Sequence, residues 1–223
     1  MVFDLFKRGS DSLDLIEAQV QAMLDRNVTT FGLAADALFG RVAASDVMQS
    51  IRKSDRKVNR AEREIRRGLI VHAGVAGPAD FPLMLVYMSI IKDIERVGDY
   101  AKNVWDLAND GFTLAGADDS ADWQTRIERT KTLIGQAATI FHDRDIDGAT
   151  RLLPEVDSWL SDFDAEVSAW VQSDAGASHA VPRALLNRYL KRITAHLMNV
   201  MTAVVMPFDR LDYWDEDKID RES

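Results

Sequence analysis

The sequence predicts an all-α protein made of two tandem antiparallel three-helix bundles. Apolar residues recur at three- and four-residue steps over long stretches, the period of amphipathic helices. Only 12 glycines and 5 prolines interrupt the 223 residues, and a helical motif around Arg96 recurs around Arg192. No alternating run of strand length competes with these patterns, so the chain is expected to bury helix against helix.

The first bundle is predicted at residues 1–110. Its first helix runs from Asp11 to about Leu38 and places apolar residues on one stripe. Ser45 is a suitable N-cap for the second helix, which runs to about His72. The third begins near Pro82, a residue that suits a first helical turn, and ends near Ala108. A segment rich in glycine and aspartate, residues 111–121, is predicted as the linker.

The second bundle is predicted at residues 122–208 and repeats the same plan. Its helices are expected at Trp123 to His142, Asp147 to Val171 and Pro182 to Met206, where Pro207 ends the last one. Residues 209–223 form a predicted acidic C-terminal tail with seven acidic and three basic side chains. This tail is either a flexible extension or a segment that folds back on a basic surface.

Composition excludes several classes of function. The chain has no cysteine, which excludes disulfides and thiolate metal sites. Its net charge of −9 argues against wholesale binding to nucleic acid. Residues 1–12 have an acid at position 4 and no apolar core long enough for a signal peptide, and no apolar run reaches about 20 residues, so we expect a cytoplasmic, soluble protein. The sequence also lacks the phosphate-loop, dinucleotide-binding, nucleophile-elbow and H-E-x-x-H motifs.

The repeated motif is asymmetric in its charges. Arg96 and Asn103 of the first copy correspond to Arg192 and Asn199 of the second. The carboxylates of the first copy, Glu95 and Asp99, are replaced by Lys191 and Ala195. Internal duplication is therefore indicated, with any carboxylate chemistry restricted to the first half.

Glu95 and Asp99 lie four residues apart, so they project from one face of the third helix, with Asn103 one turn further on. Asp55 and Glu62 share a stripe of the second helix that would face them in an antiparallel hairpin. Two interpretations follow: a solvated face balanced by neighbouring cations, or a site for a hard metal ion bound by several carboxylates.

Gly98 lies inside the third helix, where glycine costs ~0.8–1.0 kcal/mol relative to alanine. A bulky site nearby would explain this glycine. Tight packing of another helix would explain it equally well.

The second helix also carries a basic stripe. Five arginines follow one another at helical spacing: Arg52, Arg56, Arg60, Arg63 and Arg67. Such a run is either a solvated face with intrahelical ion pairs or a docking surface for an acidic partner. Salt-sensitive binding would distinguish the two.

Three segments resemble the PhoU family of bacterial phosphate-signalling proteins. DIERVGDYAKNV at 93–104 and RYLKRITAH at 188–196 are similar to its paired helix motifs, and DRKVNRAEREI at 55–65 resembles its second-helix signature. The likeness covers nearly the whole chain, is specific in the first half and is degraded in the second. It implies two three-helix bundles, a metal site, and a role in restraining phosphate uptake and the phosphate-starvation response.

Carried over to this sequence, the resemblance makes Glu95 and Asp99 the main metal ligands, with Asp55, Glu62 and Asn103 in support. The ion is left open among iron, zinc, manganese and magnesium. One metal site rather than two is expected. In the second half the Lys191 ammonium is expected to take the place of metal charge by pairing with Asp157 or Asp164.

The sequence therefore predicts a non-enzymatic regulator of phosphate transport. Its expected partners are a phosphate transporter subunit, a sensor histidine kinase or both, and it would reach the membrane only through such a partner. Whether the chain forms a homodimer is open. The alternative is a metal-handling protein or metal-dependent enzyme built on the same helical carboxylate scaffold.

Overall fold

A computed structural model describes residues 11–76, 78–211 and 213–214. Its long helices are α1 (Asp11–Leu38), α2 (Ala44–Ala76), α3 (Phe81–Asn109), α4 (Ser120–Asp143), α5 (Ile146–Gln172) and α6 (Ala177–Val205). Short 3-10 turns at Pro78–Asp80 and Phe208–Arg210 complete the regular structure of the described ranges, which contain no strand. The predicted all-α fold class is confirmed.

The helices form two antiparallel groups of three. In the first, α1, α2 and α3 all pack on one another, and in the second α6 packs on both α4 and α5. The groups meet along α3 and α6 and along α1 and α4. Fully buried aromatic side chains, including Phe31, Tyr87 and Trp105, fill the core of the first group. One continuous apolar core therefore runs through both groups.

Several helix ends differ from those expected. α2 continues four residues past His72, to Ala76. Gly74 lies in this extension; a glycine lowers the stability of a helix but does not by itself end it. α6 begins at Ala177 and passes through Pro182, whose fixed φ suits a helix and which removes only one N–H donor near its start. Ser45 lies within the first turn of α2 and is not its N-cap.

The connection between the groups is anchored at both ends. Thr113 Oγ1 and the Leu114 amide both donate hydrogen bonds to the Leu38 carbonyl. At the other end Arg183, which is buried, donates two hydrogen bonds to the Asp119 carboxylate, at 2.7 and 2.8 Å. These hydrogen bonds lower the pKa of Asp119 to about 2, with a smaller contribution from Trp123.

No helix of the described ranges is both long and apolar enough to cross a membrane. The first ten residues of the predicted first bundle lie outside the described part of the chain, as does residue 212 and everything after residue 214 in the predicted acidic tail.

Candidate functional site

The hairpin of α2 and α3 brings the predicted carboxylates to one side of the first bundle. Glu62 on α2 and Glu95 on α3 are buried, at 6% and 7% exposure. Asp55 and Asp99 are half-buried on the same two helices. Two buried and two half-buried acids in one region require compensating charge, since an unpaired ionised carboxylate is costly to remove from water.

Lys92 supplies much of that compensation. Its ammonium lies 2.6 Å from Glu95 Oε2 and 3.9 Å from Glu62 Oε1, so it stands between the two buried carboxylates. Arg66 approaches Glu62 Oε1 from the other side at 2.9 Å. Two side-chain cations, Lys92 and Arg66, thus neutralise carboxylates that a metal ion could otherwise neutralise.

Asp99 is the carboxylate least well compensated. Burial raises its pKa above the usual value, and the neighbouring charges of Glu95 and Asp55 raise it further. Lys92 and Lys102 act in the opposite direction but do not cancel the shift. The site therefore holds an excess of negative charge around Asp99, which is the condition under which an added cation would be stabilised.

The donor chemistry fits a hard cation, although the present arrangement does not assemble a complete ligand set. Glu62 Oε1 is a buried acceptor that receives no hydrogen bond and contacts Arg66 and Lys92 only as ion pairs. Asn103 is half-buried and has no side-chain partner among the described residues. Within those residues, however, no three His, Asp or Glu side chains converge closely enough to hold an ion. The metal site stays a prediction.

Gly98 is explained by the packing of α1. A Cβ atom at this position would lie 2.8 Å from Oδ1 of Asn27, a fully buried residue of α1. Asn27 Nδ2 donates a hydrogen bond of 2.7 Å to the Ile94 carbonyl. The close approach of this amide, rather than of a bulky site, requires the glycine.

In the second bundle, Lys191 behaves as expected. Its ammonium pairs with Asp164 Oδ2 at 2.5 Å, which confirms one of the two predicted pairings. Ala195, at the position equivalent to Asp99, is buried. A fixed amino group and a methyl group thus replace two carboxylates of the first copy.

Asp93, a carboxylate off the predicted stripe, joins the two bundles. Its Oδ1 lies 2.8 Å from His196 Nδ1 and accepts a hydrogen bond of 3.1 Å from Asn199, both on α6. His196 and Asn199 are buried. Arg192 lies 3.2 Å from the other ring nitrogen of His196. This polar network lies at the α3–α6 crossing.

The crossing also has approximate two-fold symmetry. The offset that takes Arg96 to Arg192 takes Asp93 to Tyr189 and Tyr100 to His196. Asp93 contacts His196, and the equivalent pair Tyr189 and Tyr100 is also in contact, with ring centroids 6.0 Å apart. Tyr100 and His196 occupy equivalent positions and stack on each other at 5.9 Å. This reciprocal pattern is that of an isologous interface and supports internal duplication.

The basic stripe of α2 is exposed to solvent along its whole length. All five of its arginines are exposed, and none makes a hydrogen bond or ion pair with another described residue. The five arginines therefore form a solvated face without intrahelical ion pairs to other described residues, and docking of an acidic partner on this face stays a prediction. Beside the stripe lies a cavity of about 340 Å³ lined by Arg56, Asn59, Arg60, Glu62 and Arg63. Through this cavity Glu62 can be reached from solvent.

Several functional side chains were not predicted. Lys92 stands three residues before Glu95, a spacing that allows an ion pair, so its role could have been read from the sequence. Asn27 and the Asp93 network depend on contacts between distant helices. No local pattern indicates such contacts.

Comparison with known proteins gives consistent results. The PhoU domain model matches residues 20–108. A phosphate-specific transport system accessory protein PhoU homolog from Deinococcus radiodurans is 26% identical over 219 residues, covering 90% of this chain and 96% of the relative. The crystal structure of PhoU from Pseudomonas aeruginosa superposes with a TM-score of 0.74 at 20% identity, covering 87% of this chain and 95% of that one.

A second solved structure has the same fold. It is the phosphate transport system regulatory protein PhoU from Streptococcus pneumoniae, with a TM-score of 0.67 at 14% identity and coverage of 91% of this chain and 96% of that one. At these identities the two structures establish likeness of fold. The specific sequence match lies in the first half, where the carboxylate motif is intact.

Proposed function

We propose that this chain belongs to the PhoU family and is an accessory regulator of phosphate uptake and of the phosphate-starvation response. It acts by binding a phosphate transporter subunit, a sensor histidine kinase or both, and it catalyses no reaction. The observation that carries this proposal is the alignment of an accessory protein of a phosphate-specific transport system with 90% of the chain.

Deletion of the gene tests the regulatory role. A deletion strain grown in abundant phosphate should express starvation-induced genes, and the unaltered chain supplied in trans should restore repression. In parallel, the tagged chain should co-purify with a transporter subunit or sensor kinase from detergent extracts. An unchanged phosphate response together with no such co-purification would refute the proposal.

Hydrolase and redox assays on metal-loaded protein test the enzymatic alternative. That alternative predicts turnover that is lost in the Glu95→Ala, Asp99→Ala variant.

We also propose that the first bundle binds one hard metal ion through Glu95 and Asp99, assisted by Asp55, Glu62 and Asn103. The raised pKa of Asp99 and the burial of Glu62 and Glu95 beside it support this site. Such an ion would supply the positive charge that Lys92 now provides between Glu62 and Glu95. Lys92 is therefore a competitor for the ion and must move aside when it binds.

Titration of metal-free protein with manganese or iron tests this competition. Glu95→Ala combined with Asp99→Ala should abolish binding, whereas Lys92→Ala should tighten it. Asp164→Ala, which breaks the ion pair with Lys191 in the second bundle, is the matched control and should leave the stoichiometry unchanged. Unaltered stoichiometry after loss of Glu95 and Asp99 would rule out this assignment.

A further inference from the structure

The basic stripe of α2 ends in exposed apolar side chains. Five such side chains surround the end of the α2–α3 hairpin and are here called the hairpin tip: Ile70, Val71, Val75, Phe81 and Leu85. Their exposures are 68%, 67%, 85%, 44% and 48%, respectively. Isolated apolar residues on a surface are ordinary, but a group next to a strongly charged face indicates an interaction site.

Helical spacing places the stripe and part of the tip on one face. Ile70 follows Arg63 by seven residues and Arg67 by three, and Val71 follows Arg67 by four. Residues at these spacings lie above one another on a helix. One solvent-facing surface of α2 is therefore basic along its length and apolar where it approaches the hairpin tip.

The charge of this face is opposite to that of the whole chain. Residues 52–67 contain eight basic and three acidic side chains, in a protein with a net charge of −9. The five arginines of the stripe have no partner among the described residues, so their guanidinium groups are available to an external anion. Guanidinium groups bind phosphate oxygens in a bidentate manner.

We propose that the basic stripe and the hairpin tip together dock on the surface of an anionic lipid membrane. The arginines contact headgroup phosphates, and the tip side chains enter the boundary between headgroups and acyl chains. The core of a protein–protein interface is depleted of charge and surrounded by a polar rim. The surface formed by the basic stripe and the hairpin tip is instead cationic over most of its length and apolar at one end. It therefore fits a lipid surface better than an acidic protein.

The chain thereby contacts the membrane directly, and not only through a partner as expected from the sequence. This docking does not rest on the proposed regulatory function, since lipid binding is measured without a transporter. It also needs no metal ion, because neither the stripe nor the tip includes Glu95 or Asp99.

Vesicle flotation with the full chain tests the proposal in the presence of a chelator. The protein should bind vesicles of 30% phosphatidylglycerol in phosphatidylcholine but not pure phosphatidylcholine, and raising salt from 50 to 500 mM should weaken binding. Arg63→Gln with Arg67→Gln should weaken it about 25-fold, on the basis of about fivefold for each arginine. Ile70→Asn with Val75→Asn should also weaken it at constant charge.

Matched control variants lie on the second bundle. Arg151→Gln with Arg188→Gln removes two exposed arginines, and Val171→Asn alters an apolar side chain that is 76% exposed. Both should bind vesicles as the unaltered chain does, and circular dichroism should show all variants folded.

The proposal is overturned if the unaltered chain does not bind the anionic vesicles at 50 mM salt, or if the control variants lose as much vesicle binding as the tip and stripe variants. It is also overturned if those variants bind vesicles normally but no longer capture transporter subunits in detergent, which would assign the face to an acidic protein.

Discussion

At the residue scale, Asp99 is the position where charge and burial conflict most clearly. Its folded-state pKa is raised, chiefly by burial and then by Glu95 and Asp55. The native state therefore disfavours the ionised form that the unfolded chain adopts above its usual pKa. This penalty is absent below about pH 3.8, grows as pH rises from there to the raised pKa, and is constant above the raised pKa.

Asp99→Asn should accordingly stabilise the metal-free protein at neutral pH. Removing one like charge four residues from Glu95 contributes ~0.2–0.5 kcal/mol, and relief of burial adds to it. Urea unfolding in chelator at pH 7 and at pH 3.5 measures the effect, which should disappear at the lower pH. Asp164→Asn, which breaks an exposed ion pair with Lys191, should give no such gain. A loss of stability at pH 7 would show that Asp99 is held by favourable contacts instead.

Gly98 permits a second residue-scale prediction. Gly98→Ala should destabilise the protein because the new Cβ would meet Asn27 Oδ1 at 2.8 Å, and overpacking of this kind typically costs ~1–3 kcal/mol. In an Asn27→Ala background the same substitution should stabilise, since alanine is favoured over glycine in a helix by ~0.8–1.0 kcal/mol.

A double-mutant cycle by urea unfolding measures this coupling. Gly135→Ala in α4 is the matched control, because nothing lies within 4 Å of its added Cβ and it should stabilise. Additive effects of the Gly98 and Asn27 substitutions would contradict the packing explanation.

At the element scale, the α3–α6 crossing depends on Asp93. Asp93→Ala removes the acceptor shared by the buried His196 and Asn199, and a buried donor deprived of its acceptor costs ~1–3 kcal/mol. Urea unfolding of Asp93→Ala, His196→Ala and the double variant gives the coupling energy. Asp164→Ala is the control: as a 55% exposed carboxylate in an ion pair, it should cost at most about 1 kcal/mol. A zero coupling energy would mean that the contact does not hold the bundles together.

The helices themselves were largely predictable, and the contacts between them were not. Apolar residues at helical steps located all six helices, because that period directly reports which face of a helix is buried. The replacement of Glu95 in the first motif by Lys191 in the second was also predictable, because aligning the two copies of the motif is enough to show it. Asp93 and His196 stand 103 residues apart, and only the three-dimensional crossing brings them together. Helix ends at Ser45 and Pro182 differed because local capping preferences are weak beside tertiary packing.

At the scale of the whole molecule, duplication has left two bundles with different chemistry on a shared core. The first keeps a carboxylate cluster with excess negative charge around Asp99. The second has replaced it with the fixed pair Lys191 and Asp164. An ion added to the first bundle would act beside the α3–α6 crossing, because Asp93 and Glu95 are on the same helix.

The connection between the bundles yields a prediction about acid stability. Asp119 has a folded-state pKa of about 2, below its usual 3.8, because Arg183 donates hydrogen bonds to its ionised form. Its contribution is therefore fully present above about pH 4 and is lost as pH falls toward 2. Allowing for solvent screening of a side chain that is 29% exposed, this contribution is about 1 kcal/mol.

Asp119→Asn should therefore lower the free energy of unfolding by at least about 1 kcal/mol at pH 7, because it also leaves the buried Arg183 guanidinium without its counter-charge. The difference from the unaltered chain should shrink between pH 4 and pH 2, as the native carboxylate is protonated. Urea unfolding across this pH range measures it. Asp118→Asn changes the neighbouring exposed acid and should have little effect at any pH. Equal losses in the two variants would mean that net charge, and not the contact with Arg183, stabilises the connection.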